Sequence, residues 1–246
     1  MSTALCRILE WDSAFFGLRI GRVTTNYLTA HDMPKVLDWC REQKVRCLYF
    51  LCASDHDESV QLAELHEFHL VDVRIELIWK PLADGEIQLL DARTNIVRPY
   101  RNDDKLDLLK IAETAYYETR FYYDHNFARE QASALYREWI AKSCDGFTDT
   151  VLVASQDDDI SGFITCHVDS PRSGRIGLVG VKNGRQGLGI GKLLVRAAQA
   201  HFIQHGVNEV IVVTQGRNLV AQRLYQRCGF CSHALYLWYH KWFTGS

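Results

Sequence analysis

Residues 175–192 read Arg-Ile-Gly-Leu-Val-Gly-Val-Lys-Asn-Gly-Arg-Gln-Gly-Leu-Gly-Ile-Gly-Lys, with five glycines in the twelve residues from Gly180 to Gly191. An apolar, strand-like run from Arg175 to Val181 precedes the glycines. A helical pattern follows from near Gly189, with Ile190, Leu193, Leu194, Ala197, Ala198 and Phe202 close to the spacing of one buried face and Gly206 as its stop. Glycines between a strand and a helix let backbone N–H groups turn towards an anion at the helix amino terminus, where the dipole and unpaired donors favour phosphate. A tight strand-to-helix turn would use the same residues. A P-loop is excluded, because Gln186 stands at its first glycine and Leu193 at its hydroxyl position. A dinucleotide fingerprint is excluded too, since Gly187, Gly189 and Gly191 give G-x-G-x-G late in the chain.

Gln186-Gly187-Leu188-Gly189-Ile190-Gly191 resembles the R/Q-x-x-G-x-G/A pyrophosphate loop of the GNAT acyltransferase superfamily, and Gly177 to Val181 looks like that family's central strand. Downstream, a strand from Val210 to Thr214 leads to Asn218, Ala221, Leu224, Tyr225 and Gly229-Phe230. These are similar to the family's N-x-x-A-x-x-L-Y-x-x-x-G-F signature, and a last aromatic strand runs from Ala234 to Tyr239. The resemblance covers roughly the last 150 residues. It implies an α/β (mixed) GNAT fold, with a central mixed, mostly antiparallel splayed sheet flanked by helices and a smaller amino-terminal α/β domain.

The resemblance also implies acyl-CoA as co-substrate and no metal. The pyrophosphate would lie on backbone donors of Gln186, Gly187, Leu188, Gly189, Ile190 and Gly191, with Lys192, Lys182, Arg185 and Arg196 as screening charge. Pantetheine would pair with Leu178, Val179 and Val181 in the manner of strand addition, within reach of Asn218, which reads equally well as a helix N-cap. Tyr225 stands where related enzymes place a general acid. A phenol of pKa about 10 is neutral at pH 7 and can protonate a leaving thiolate of pKa about 8.5. Its alternative is a core tyrosine. For the base, His167 and Asp169 stand at a strand end, which a solvated strand end explains as well.

The first half reads as mixed α/β. Strands are expected at Arg19 to Thr25, Arg46 to Ala53 and Val71 to Lys80, with helices from about Ala30 to Lys44 and from Ser59 to Phe68. Turn residues between Pro81 and Asn95 mark a boundary near residue 90, giving domains 1–90 and 91–246. The second domain opens with strand Ile96 to Pro99 and helices Asp103 to Tyr117 and Arg129 to Ser143. Strands follow at Thr150 to Ser155 and Ile160 to Val168.

Two stretches resemble a narrower group, the bacterial TDP-fucosamine acetyltransferases and related nucleotide-sugar N-acyltransferases. Trp11 to Gly17 is like that group's W-E/D-x-A-F-F-G. Thr119-Arg120-Phe121 followed by Tyr136-Arg137-Glu138-Trp139-Ile140 is like its S/T-R-F and Y-x-x-W-I. Arg120 with Phe121, Tyr122 and Tyr123 is a set able to stack on a thymine or sugar face while the guanidinium takes a phosphate. The resemblance implies transfer from acetyl-CoA, or a short hydroxyacyl-CoA, to the C3 or C4 amine of a dTDP-linked amino-6-deoxy sugar for bacterial surface glycans. A homodimer is its default assembly. Rival readings are a protein or amino-acid N-acetyltransferase and a non-catalytic acyl-CoA sensor.

Composition agrees with a globular chain. Lys+Arg 28 against Asp+Glu 30 gives 28 − 30 = −2, but Arg172 to Arg227 holds nine bases and one acid, 9 − 1 = +8, leaving 19 − 29 = −10 elsewhere. A basic segment in an acidic protein is a field for a phosphorylated ligand; neither nucleic acid nor membrane is the expected partner. No apolar run reaches the ~18 residues of a membrane helix, and Met1 to Asp12 lacks signal-peptide character, so a cytoplasmic protein is expected. The eight cysteines read as reduced thiols, with Cys228 and Cys231 structural. His201 with His205 and His66 with His69 read as solvated helix faces.

Overall fold

Alternating apolar residues build the sheet, and amphipathic helices cover its two faces. The computed structural model describes residues 4–81, 96–157 and 159–243. The elements of the first part are β1 (Cys6–Ile8), α1 (Glu10–Phe16), β2 (Ile20–Val23), α2 (Asp32–Glu42), β3 (Cys47–Ala53), α3 (Asp57–Leu65) and β4 (His69–Trp79). Then come β5 (Val97–Pro99), α4 (Lys105–Ala115), α5 (Arg120–Tyr123), α6 (Arg129–Lys142), β6 (Thr150–Gln156), β7 (Asp159–Ser170) and β8 (Ser173–Val181). The chain closes with α7 (Ile190–Gln204), β9 (Glu209–Gln215), α8 (Leu219–Arg227) and β10 (Cys231–Trp242). β1 and α1 come from a stretch for which no secondary structure was expected. The helix ends because Gly17, at φ 66°, adopts the left-handed conformation that terminates it.

All ten strands form one sheet in the order β1-β2-β3-β10-β4-β9-β8-β7-β6-β5. The pairs β2/β3 and β8/β9 are parallel and the others antiparallel, as a mixed, mostly antiparallel GNAT-type sheet requires. On one face α2 and α3 cover Leu48, Phe50, Cys52 and Tyr239, while α7 and α8 cover Ile164, Cys166, Ile176 and Val212. On the other face α1, α5 and α6 pack on Cys47, Tyr49, Leu51 and Trp238, and α4 with α6 on Val151, Val153 and Phe163. Every residue of β3 is buried, because it lies under both layers.

The boundary expected near residue 90 lies outside the described residues. The strands on either side of it interleave: β10 of the second half lies between β3 and β4 of the first. The two halves also repeat an element order. β2-α2-β3-α3-β4 and β8-α7-β9-α8-β10 each hold a parallel strand pair joined by a helix, then a capped helix and a long strand. His56 caps α3 by accepting from Ser59 N and Asn218 caps α8 by accepting from Ala221 N, three residues on in each case. Phe68 N then donates to Ala63 O, as Phe230 N donates to Tyr225 O. In this correspondence Ala63 stands in the first half where Tyr225 stands in the second.

Candidate active site

β8 and β9 pair only from Ser173/Glu209 to Ile176/Val212 and then part. The divergence begins at a bulge, where Gly177 and Leu178 together oppose Thr165 on β7 and Leu178 N donates to Thr165 Oγ1 at 2.8 Å. Gly177 is required there, since a Cβ would lie 2.7 Å from Thr165 Oγ1 and 3.0 Å from His167 Nε2. Past the bulge, the β9-facing edge of β8 from Leu178 through Val179 to Val181 has no strand partner.

The glycine loop follows. Gly187 and Gly189 have φ of 79° and 85°, in the left-handed region, and Gly189 is the N-cap of α7 without side-chain assistance. The first intrahelical bond runs from Leu193 N to Gly189 O, so the amides of Ile190, Gly191 and Lys192 have no acceptor within the helix. That is an anion cradle by construction. The Gln186 side chain turns inward to brace it: Oε1 accepts from Gly184 N at 3.0 Å, and Nε2 donates to Asn183 Oδ1 at 3.0 Å and Val181 O at 3.3 Å. Lys182 and Arg185, expected as free screening charges, are both paired with Asp159, at 2.5 and 2.7 Å.

Behind the loop the splay opens on an inner cavity of about 330 Å³ lined by Leu178, Val179, Asn218, Tyr225, Arg120 and Phe121, together with Asp72 and Trp238. Tyr225 is 5% exposed and burial drives its phenol further up, so it is a neutral donor at pH 7. Asn218 Oδ1 is committed to capping Ala221 N at 3.0 Å, which leaves its amide nitrogen for other partners. Arg120 lies over the rings of Trp238, Tyr49 and Phe121 at 4.0, 4.5 and 4.6 Å. Its Nη1 is buried with no hydrogen-bond partner among the described residues.

Asp72 is the residue that sequence reasoning missed. It sits on β4 opposite Trp238, is 4% exposed, and uses Oδ1 to accept from Val73 N at 2.8 Å. Burial pushes its carboxyl up to about 6, against the opposing pull of Arg217, the Val73 amide and Arg120. A carboxyl raised to about 6 and a neutral phenol therefore line the same cavity.

Three expected groups lie elsewhere. His167 lines a neighbouring outer cavity of about 870 Å³, which shares Arg74, Trp139, Gly177, Leu178 and Val213 with the inner one. Its imidazole is held neutral by burial and then by Arg175. Tyr122 and Tyr123 line neither cavity. Phe121 and the half-buried Tyr122 pack with the core cluster that includes Tyr49 and Trp238, whereas Tyr123 is exposed. The Tyr122 hydroxyl bonds Ser133 Oγ, and Tyr123 carries the Arg217 guanidinium over its ring at 3.5 Å and donates to Glu118 at 3.2 Å. Among the described residues no group of three His, Cys, Asp or Glu could hold a metal ion, and no helix is long and apolar enough to cross a membrane.

The stretch from Tyr122 to Phe127, which matches no motif, has a structural explanation. Asp124 Oδ2 accepts from His240 Nδ1 at 2.6 Å and Trp242 Nε1 at 2.8 Å, while Oδ1 accepts from the Asn126 backbone at 3.0 Å. These bonds pin the segment carrying Arg120 to β10.

Comparison with known proteins agrees with this architecture. The family model described as Acetyltransferase (GNAT) family matches residues 108–230. The spore coat polysaccharide biosynthesis protein SpsD of Bacillus subtilis strain 168 is 25% identical over 155 residues, covering 58% of this chain and 50% of that protein. The mycothiol acetyltransferase of Rhodococcus jostii strain RHA1 is 28% identical over 163 residues, covering 61% and 50%. The chain thus spans about half the length of the curated relatives it matches. A GCN5-related N-acetyltransferase from Sphaerobacter thermophilus superposes with a TM-score of 0.66 at 16% identity, covering 96% of this chain and 76% of that one. The family match spans the bulge, the glycine loop and Tyr225, and the chain belongs to the GNAT acetyltransferase family.

Proposed function

We propose that this protein transfers an acyl group from acyl-CoA to the C3 or C4 amine of a dTDP-linked amino-6-deoxy sugar, as for bacterial surface glycan precursors, by direct attack of the amine. The observation that carries the reading is the convergence of Tyr225 and Asp72 on the inner cavity, which shares a wall with a second cavity of about 870 Å³. A volume of that order suits a nucleotide sugar and far exceeds what a free amino acid fills. Similarity to a spore coat polysaccharide biosynthesis protein points the same way.

On this reading the glycine loop, Gln186 to Gly191 with Lys192, holds the donor's pyrophosphate, and the free edge of β8 at Leu178, Val179 and Val181 pairs with the pantetheine amides. Asn218 reaches the same arm through its uncommitted amide nitrogen. Asp72 takes the proton from the acceptor amine as the nitrogen forms its bond to the acyl carbon, a role we assign to it in place of His167. Tyr225 gives its proton to the sulfur as the carbon–sulfur bond breaks. Arg120 and Phe121 bind the acceptor beside Asp72. Residues 1–90 thereby contribute Asp72 and Trp11 to the acceptor side, and 91–246 hold the donor together with Arg120 and Phe121, with a homodimer and a cytoplasmic location as part of the same reading.

The test is mass spectrometry of the products formed from mixed acetyl- and hydroxyacyl-CoA with mixed dTDP-amino sugars, peptides and free amino acids. An acylated dTDP-sugar is expected. Turnover of peptides or amino acids alone would overturn the proposal.

A further inference from the structure

The outer cavity has walls that the acyl-transfer steps do not use. Trp139 and Lys142 of α6, with Ser143 at its C-cap, share one face at i, i+3 and i+4. Trp139 lines both cavities, whereas Lys142, about 4.5 Å further along the helix axis, lines only the outer one. Opposite, α1 contributes Trp11, whose ring stacks on Phe15 at 5.1 Å and carries Lys142 Nζ over it at 4.0 Å. Phe147 stands edge-on to His167 at 5.7 Å and is 69% exposed.

The charges of this cavity are unequally committed. Its acids each have a cation: Glu76 pairs with Arg74 at 2.7 Å, Asp169 with Arg175 at 2.9 Å and Glu209 with Lys80 at 3.0 Å. Lys142 makes no ion pair among the described residues and rests only on the Trp11 ring. A cation resting on an aromatic face is held more weakly than by a charge-assisted bond to phosphate. An anion would therefore draw Lys142 away and free the indole face for a planar group.

We propose that the outer cavity is the binding site for the acceptor's nucleoside diphosphate, with Lys142 on the diphosphate and Trp11 and Phe147 on the base, while Trp139 directs the sugar into the inner cavity. This assignment rests on the acceptor reading above, and it adds that the nucleotide handle is recognised by α1 and α6 together.

The experiment uses the full chain. Thymidine diphosphate binding is measured by calorimetry in the presence of CoA, with inorganic pyrophosphate as a second probe, and acceptor kinetics are measured for Lys142→Ala and Trp11→Ala. Thymidine diphosphate is expected to bind the wild type, to compete with the acceptor and not with acyl-CoA, and to bind each variant at least tenfold more weakly. Each variant is expected to raise the acceptor KM tenfold or more, with kcat and the acyl-CoA KM within twofold of wild type. Circular dichroism controls for folding of Trp11→Ala, and Lys142→Ala, a half-buried side chain without a hydrogen bond, carries the test if Trp11→Ala does not fold. Turnover of dTDP-sugars with an acceptor KM unchanged in Lys142→Ala overturns the site and leaves the acyl-transfer reading intact. Thymidine diphosphate binding lost in Lys142→Ala, with no dTDP-sugar turned over by the wild type, does the reverse. Failure of the wild type to bind thymidine diphosphate overturns the site outright.

Discussion

In the proposed mechanism Tyr225 gives a proton and Asp72 takes one, so their variants should fail differently. Tyr225→Phe keeps the ring in its buried slot and removes only the hydroxyl. We expect kcat to fall by roughly 10²–10⁴, with acyl-CoA affinity in equilibrium binding unchanged. For Asp72 the sign follows from burial: the carboxyl titrates at about 6 and acts only when ionised. The kcat/KM profile should fall as pH drops through about 6, and Asp72→Asn should abolish that limb along with most of the activity. Stability should move the other way. A carboxyl whose folded pKa is raised contributes stability below its unfolded value of about 3.9, and that stability is lost as pH rises through about 6. At pH 7–8 the asparagine variant should melt no lower than wild type. Tyr225 was visible in the sequence because a spaced motif surrounds it. Asp72 was not, because a lone acid among alternating residues reads as a solvent-facing position. Only the pairing of β4 with β10, which sets Asp72 opposite Trp238, buries it.

The elements themselves were legible where period and punctuation agreed, as in α7 between Gly189 and Gly206 or the alternation of β4. The one-turn helix α5 and the loop after it were not, since their conformation is dictated by contacts 116 and 118 residues away, from Asp124 to His240 and Trp242. Burial holds His240 neutral, down to about 4; burial also pushes the Asp124 carboxyl up, but the bonds from His240 and Trp242 overcome it and keep that carboxyl low, at about 2. Asp124→Ala would leave one buried donor, His240, and one half-buried donor, Trp242, unpaired. We expect a loss of about 2–4 kcal/mol in denaturant unfolding, and a raised acceptor KM because Arg120 loses its anchor. The acid limb of stability has a definite window. A buried histidine with a depressed pKa stabilises the fold above its unfolded value of about 6.5, and that stability is lost as pH falls towards 4. The wild type should therefore lose up to about 3 kcal/mol across that interval, whereas His240→Gln should show a flatter dependence there.

At the scale of the whole molecule, the strands on either side of the boundary expected near residue 90 share one sheet and one core. The basic stretch that sums to +8 covers the glycine loop and α8, while the two cavities take Asp72, Arg74 and Trp11 from the first half and Arg120, Trp139 and Lys142 from the second. Composition and turn residues suggest a boundary there, but they could not show that the long strands are exchanged. β10 pairs with β3 from Tyr236 to Trp242 and with β4 from Cys231 to His240, so it fills the gap between two strands of the first half. Without it, β3, buried along its whole length, would expose Tyr49, Leu51 and an unpaired edge to water. β4 would in turn lose the partner that buries Asp72. Residues 1–90 expressed alone should therefore be unfolded or aggregated by circular dichroism. The intact chain should melt in one transition whose calorimetric and van't Hoff enthalpies agree. Two resolved transitions, or a folded 1–90 fragment, would show that the halves are stable without the exchanged strand and that Asp72 reaches its site by docking of a preformed domain.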